Sequence, residues 1–267
     1  MKTTFEAGNT IAMLDHGYCK FIESWGSDQG IIETARTSTD KGFLGWEPGI
    51  CPICNGVKEV MPPSGDAWVE CHSCTGKGTH IGDKRLLKYL WDNLHATPFE
   101  FAGMTVEIQA PIFVFREWHR HRTQSYNEMS ARYVPLPDLN YIPSIPRLLL
   151  NSSTNKQASS LNDIILTPDD AHLYRQALIE HYKSDEEFYQ RALKMGVPKE
   201  LARIHLPVGR YSKMRATGNL RNWLSFLTLR RSPKAQSEIR EYAQYGVGYF
   251  ISELFPRTWS NYVGEAV

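Results

Sequence analysis

Four of the five cysteines fall in two Cys-x-x-Cys pairs, Cys51–Cys54 in CPICNG and Cys71–Cys74 in CHSCTGKG, with sixteen residues between them. Each tight Cys-x-x-Cys turn aims two thiolates at one point, so two such turns supply the four ligands of a tetrahedral zinc. Glycine just after the second cysteine of each pair allows the positive φ that turns backbone amides toward sulfur. Four cysteine ligands leave no open coordination position, which makes the expected site structural rather than catalytic. His72, between the last two cysteines, reads as exposed rather than as a ligand. Residues 42–82 are rich in Gly and Pro and cannot bury a core of their own, so metal is the expected source of order. The expected organisation is one domain over 1–267, interrupted by a zinc-ribbon-like insert at 45–82.

The rest of the chain reads as mixed α and β. A strand and turn are expected over 10–25 and a helix over 28–38. A second helix is expected from Asp83 as N-cap, with Leu87, Leu90, Trp91 and Leu94 on one face and Pro98 as its stop. Thr105–Ala110 alternates as a half-buried strand. Pro111 opens a helix read over PIFVFREWHRHR. Four prolines (135, 137, 143 and 146) mark irregular chain, and the Ser/Asn-rich stretch 151–163 reads as a surface loop. Thr167-Pro168-Asp169-Asp170 is similar to a capping box, opening a helix whose apolar face includes Ala171, Tyr174, Leu178, Tyr182, Tyr189 and Leu193. Shorter helices are expected over 198–206 and 219–231, and a long amphipathic one over 234–254.

A net charge of +1 argues against a surface that binds nucleic acid as a whole, but not against a local basic site. The N-terminal MKTTFEAGNT has no signal-like apolar core, and no run reaches a membrane span, so a cytoplasmic protein is expected. The local basic site is HRHRTQSYNEMSARY, residues 119–133. It concentrates Arg120, His121, Arg122 and Arg132 with Ser125, Asn127, Glu128 and Ser130, next to an apolar helix. Clustered guanidinium and imidazole groups there suit an anionic ligand, since arginine gives bidentate, permanently charged contacts. Glu128 can orient an arginine or accept from a ligand N–H. Cys19 lies in no motif and reads as a buried structural thiol.

The run RHRTQSYNEMSARY, with Arg120-His121-Arg122 followed after seven residues by Ser130, resembles the signature of the flavin-dependent thymidylate synthases. HATPFE (95–100), APIFVFREW (110–118), ARIHLP (202–207) and NLRNWLSFLTLR (219–230) are similar to further blocks of that family. The resemblance implies a mixed, largely antiparallel sheet with packed helices, an α/β (α+β) fold. It implies homotetramers with sites at subunit interfaces. The implied reaction converts dUMP to dTMP, with methylene-tetrahydrofolate as carbon donor and FAD, reduced by NADPH, as hydride source. It places Arg120, His121, Arg122, Glu128, His95, Thr97, Asn219, Arg221 and Ser225 on the flavin side. It places Glu117, Arg120, Glu128, Ser130, Ala131, Arg132, Arg203 and Arg230 around the nucleotide. Arg230 matches the arginine facing the uracil ring, where a permanent cation favours the ionised imide and activates carbon 5. Ser130 is then a phosphate ligand; a nucleophilic serine would need an activating base within reach. Glu117 stands where glutamine is frequent, Ser225 where asparagine is frequent, and Lys234 where histidine is common. Two alternative readings are a zinc-ribbon nucleic-acid-binding protein and an inactive relative that binds flavin or nucleotide without turnover.

Overall fold

Thr10–Met13 (β1) and Gly17–Trp25 (β2) form a hairpin that starts a five-stranded sheet. The computed structural model describes residues 8–150 and 164–264, so the loop expected over 151–163 lies outside the described residues. Helix α1, Asp28–Arg36, starts at Ser27, whose hydroxyl accepts the Gly30 amide at 3.0 Å. The insert follows as two small ladders, Gly49–Ile50 (β3) with Thr79–His80 (β6) and Glu59–Val60 (β4) with Val69–Glu70 (β5). Helix α2, Asp83–Asp92, has Gly82 at its N-cap, so Asp83 is the first helical residue and not the cap expected. It ends before Leu94, which takes φ +57° and is exposed, and Pro98 instead lies in the first turn of α3, Thr97–Glu100.

Gly103–Pro111 (β7) is the central strand, longer than the alternating stretch read from sequence. Met104, Val106, Ile108 and Ala110 point into the core, while Thr105, Glu107 and Gln109 line the half-covered face. Pro111 then caps α4, Ile112–Trp118, which stops short of the HRHR run expected to continue it. Ser125–Glu128 (β8) and Tyr211–Asn219 (β9) are strands with weak sequence signals. The sheet order is β1-β2-β7-β9-β8, and every pairing is antiparallel.

Ser144 caps the short α5, Ile145–Leu149. Helix α6, Pro168–Lys194, begins at the expected cap: Thr167 Oγ1 accepts the Asp170 amide at 3.1 Å. At 1.5 Å per residue its 27 residues span about 40 Å. Of the apolar face expected on it, only Ala171 and Tyr189 are buried. Its middle is held by Glu186, which pairs at 2.7 Å with the buried guanidinium of Arg210; Arg210 also donates to Asp138 at 2.9 Å. The stretch 198–206 is a short helix, Lys199–Ala202 (α7), followed by a 3₁₀ turn at Arg203–His205.

Asn219 Oδ1 accepts the Asn222 amide at 2.9 Å and so caps α8, Leu220–Arg230, which lays Trp223, Leu224, Phe226 and Leu227 in the core. The expected continuous helix over 234–254 is three pieces: α9 (Ser237–Glu241), a π-helical segment (Tyr242–Val247) and α10 (Gly248–Leu254). Within the π segment, a Cβ on Gly246 would lie 2.8 Å from the Cys19 Cβ, so the backbone passes hard against β2. Cys19 is fully buried, as expected, and burial pushes its thiol well above the ordinary range. Helix α11, Pro256–Val263, takes its N-terminal cap from the buried Asp28, which accepts from the Arg257 amide at 2.8 Å and the Thr258 hydroxyl at 2.6 Å.

Candidate functional site

The last turn of α8 brings Arg230 against the end of α4 and the turn after it. Arg230 Nη1 donates to Glu117 Oε2 at 2.7 Å, Nη2 to the Glu117 carbonyl at 2.8 Å, and Nε to His121 Nε2 at 2.9 Å. His121 must offer a lone pair to that N–H, so it is the neutral imidazole. Its pKa falls from 6.5 to about 4, first through burial and then through the Arg230 cation. The Glu117 carboxyl is shifted upward, because burial outweighs the attraction of Arg230 and Glu238 adds repulsion. The cluster therefore holds a fixed cation between an uncharged imidazole and a half-buried carboxylate.

The turn that delivers His121 is built by residues the sequence reading did not single out. Tyr126 Oη donates to the His121 carbonyl at 2.6 Å, and Trp118 Nε1 donates to Gln124 Oε1 at 3.1 Å. Asn222 Nδ2 ties the same turn to α8 through the Thr123 carbonyl at 2.9 Å. Nothing in the sequence marked these contacts beyond polar groups set between aromatic residues. His119, adjacent to the motif, packs its ring edge-on to Tyr126 at 5.0 Å and has its Nε2 3.1 Å from Met214 Sδ. Arg120 and Arg122 stay exposed, and their guanidinium groups make no ion pair among the described residues.

A second group gathers around a cavity of about 320 Å³ between α2 and α8. Leu90, Trp91 and Leu224 form apolar wall, with His95, Arg221 and Ser225 adding polar groups. Arg221 Nη1 is anchored to Glu100 Oε1 at 2.7 Å. Thr97 opens α3 beside this cavity without lining it, and the Asn219 carboxamide oxygen is engaged in capping α8. Apolar walls with a guanidinium and other polar groups at the rim fit a flat aromatic group with polar edges. On α8, Arg230 projects from the side opposite the cavity-lining Arg221, Leu224, Ser225 and Thr228, because at about 100° per residue nine residues carry the chain from Arg221 through two and a half turns.

The third group follows β8. Ser130 Oγ accepts the Arg132 amide at 3.3 Å, and Ala131 is buried. Arg132 lies 3.6 Å from Glu200 across a surface hollow of about 580 Å³ shared with Tyr133, Gly196, Pro198 and Lys199. Glu128 is half-buried on β8, and Arg203 lies in the 3₁₀ turn beyond α7. The two cavities share no lining residue. One chain thus unites Glu117, His121 and Arg230, and separately His95, Arg221 and Ser225, but does not gather all the expected residues around one cavity.

The four cysteines form their own centre. All four are buried, their sulfur atoms lie within 4.8 Å of one another, and Cys51–Cys71 and Cys54–Cys74 are 3.9 and 3.7 Å apart. A tetrahedron with metal–sulfur bonds of about 2.3 Å has edges of about 3.8 Å, so the set fits a metal ion. Gly78 N–H donates to Cys74 Sγ at 3.3 Å, the sulfur-directed amide that the glycine pattern implied. His72 turns outward, its Nε2 3.1 Å from the Asp40 carbonyl.

Comparison with known proteins gives a consistent set of likenesses. The family model described as thymidylate synthase complementing protein matches residues 20–256. A flavin-dependent thymidylate synthase from Thermus thermophilus is 32% identical over 253 residues, covering 95% of this chain and 78% of that protein. One from Rickettsia prowazekii is 34% identical, over 88% of this chain and 72% of the relative, and one from Thermosipho africanus is 32% identical, over 94% and 92%. The solved structure of a UMP/dUMP methylase, PolB from Streptomyces cacaoi, bound with 5-Br dUMP, superposes with a TM-score of 0.70 at 28% identity, over 96% of this chain and 98% of that one.

Proposed function

Since the chain belongs to the thymidylate synthase complementing protein family, the flavin-dependent thymidylate synthases, we infer that it is a methyltransferase that converts dUMP to dTMP. The observation that carries the reading in this chain's own residues is Arg230, fixed by three hydrogen bonds at a partly buried position. A cation held there needs no reorganisation to meet charge that develops on a pyrimidine imide. His121, kept neutral, accepts from Arg230 without competing for that charge. Glu117 orients the guanidinium through both its carboxylate and its carbonyl.

Finer assignments belong to the same proposal. Ser130, Ala131, Arg132 and Arg203 are read as nucleotide ligands, the serine hydroxyl and arginines suiting a phosphate dianion. Arg120 and Glu128 serve on both the nucleotide and the flavin side. His95, Thr97, Arg122, Asn219, Arg221 and Ser225 are read as holding FAD. FAD, when bound and reduced by NADPH, supplies the hydride; methylene-tetrahydrofolate supplies the carbon. The four cysteines are read as a structural zinc site. Because the site residues divide among cavities with no common wall, a homotetramer with composite sites is the assembly this reading favours. The insert carries two lysines against four carboxylates over 45–82, which tells against a nucleic-acid-binding ribbon.

Purified protein supplied with FAD, NADPH, methylene-tetrahydrofolate and dUMP is expected to form dTMP, with the flavin absorption bleached on reduction. Arg230→Ala is expected to lower turnover by about 10²–10³-fold while thermal unfolding remains cooperative. Normal dTMP formation by that variant would remove Arg230 from its role, and a protein that cannot be loaded with FAD would sink the enzyme reading.

A further inference from the structure

Helix α2 has no side-chain cap. Its N-cap residue is Gly82, and its first two amide donors are taken by carbonyls at the root of the insert: Asp83 N–H by Gly45 at 2.8 Å and Lys84 N–H by Trp46 at 3.2 Å. Amides at a helix N-terminus have no partner within the helix, so something outside it must supply one. The fully buried Asp83 carboxylate turns back, accepting the Leu44 amide at 2.7 Å and pairing with Arg36. Arg36 in turn donates to the Gly42 carbonyl at 2.9 Å. Gly82 stands at φ +85°, and a Cβ there would lie 2.6 Å from the Trp46 carbonyl oxygen, so the junction admits only glycine.

The Gly45 and Trp46 carbonyls sit beside the Asp83 and Lys84 amides where the two ends of the insert are paired. Gly49 and Ile50 pair with His80 and Thr79, and Cys51 N–H donates to the Gly78 carbonyl at 2.9 Å, bringing the two ends of the insert together. Beyond that ladder the buried apolar residues of the insert are the four cysteines, with Val60 alone packed against them among the described residues, too little to hold the insert shut without metal. At the far end of α2, Leu90 and Trp91, followed by His95, form one wall of the cavity whose other wall is Arg221, Leu224 and Ser225.

We propose that the four-cysteine insert is the N-terminal cap of α2, and that metal occupancy thereby sets the affinity of the cavity at the other end of that helix for a flavin. This rests on the zinc and FAD assignments above. Metal loss opens the β3–β6 ladder, withdraws the Gly45 and Trp46 carbonyls, and frays the first turn of α2. Leu87 and Leu90 remain core residues, so the wall loosens without global unfolding.

The test uses the full chain as isolated with zinc, the same protein after chelation, and Gly82→Ala. Zinc content, amide exchange over residues 83–95 and the Kd for FAD are measured on each. Chelation is expected to accelerate exchange at the start of α2 and to raise the FAD Kd by about tenfold. Gly82→Ala is expected to do the same with one zinc per chain retained. Thr167→Ala, at the cap of the distant α6, is expected to leave both readouts unchanged. Undiminished protection of 83–86 in metal-free protein overturns the proposal, as does faster exchange there with an unchanged FAD Kd. Protein that takes up no zinc also overturns it. Should zinc-loaded protein bind no FAD, the flavin assignment fails, while amide exchange still decides whether the insert caps α2. Because chelation of unmutated protein gives the same readouts, a Gly82→Ala chain that does not fold leaves the test intact.

Discussion

A guanidinium held by three bonds is useful only if its partners keep their protonation states. His121 is held down to about 4 in the folded chain, by burial foremost and then by Arg230, against 6.5 ordinarily. Between those values the unfolded chain binds the proton that the folded chain refuses. The associated stability is fully present above about 6.5 and is lost as pH falls toward 4. Glu117 works with the opposite sign, because its raised folded pKa favours the native state at low pH and loses that contribution as pH rises through it. His121→Gln removes the first effect and keeps a hydrogen-bonding group beside Arg230. The melting temperature of the unmutated protein is expected to drop more than that of the variant between pH 6.5 and 4.5, by roughly 2–4 °C per kcal/mol of difference. Superimposable pH curves would show that His121 is not held neutral. At this scale the sequence was informative about identity and silent about support. His121 and the four cysteines stood out by residue type and spacing, and Arg230 through family likeness. Tyr126, Gln124 and Asn222 did not, because one hydrogen bond to a carbonyl leaves no pattern in a sequence.

At the scale of elements, strong punctuation was readable and weak strands were not. Thr167 and Pro168 announced α6, and the glycines of the cysteine turns announced the insert. Strand β9 escaped notice because its inward residues are Ser212, Met214, Ala216 and Gly218. All but Met214 are small, and α8 lies close over Gly218, with the Trp223 ring 3.6 Å from where a Cβ there would sit. A strand whose core side is filled by its neighbour's aromatic ring has little hydrophobic signal of its own. The expected helix over 234–254 was broken for a related reason. The π segment lets Gly246 approach β2 at Cys19, and a regular 3.6-residue period does not foresee it. Gly246→Ala is expected to destabilise the fold by about 1–3 kcal/mol, the usual cost of overpacking a core. Urea unfolding measures it, and an unchanged midpoint would mean that the segment yields freely.

Across the whole molecule, apolar surface remains where one chain ends. Leu173, Tyr174 and Phe188 on α6 are 70, 52 and 49% exposed, along a helix that buries two residues within its own chain. These exposed apolar side chains are the surface that the proposed assembly would cover. If neighbouring copies complete each site, two inactive variants with defects in different groups should rescue each other. Mixing Arg230→Ala with Arg132→Ala, after dissociation and reassembly together, is expected to restore roughly a quarter of the activity, as random assembly of composite sites requires. Activity no greater than the sum of the separate variants would place each site within one chain. The sequence offered the assembly only through family likeness, since no composition or spacing records which face meets a second copy.

The exposed pair Arg120 and Arg122 has a consequence for kinetics. With 30 Lys and Arg against 29 Asp and Glu, the molecule has almost no long-range field of its own. Two exposed guanidiniums with no ion pair among the described residues are therefore a local beacon for anions, felt over about a Debye length, roughly 10 Å at 0.1 M salt. Such a field guides diffusion more than it strengthens the final contact. Added salt should thus slow the capture of an anionic ligand at this turn far more than it hastens the ligand's escape.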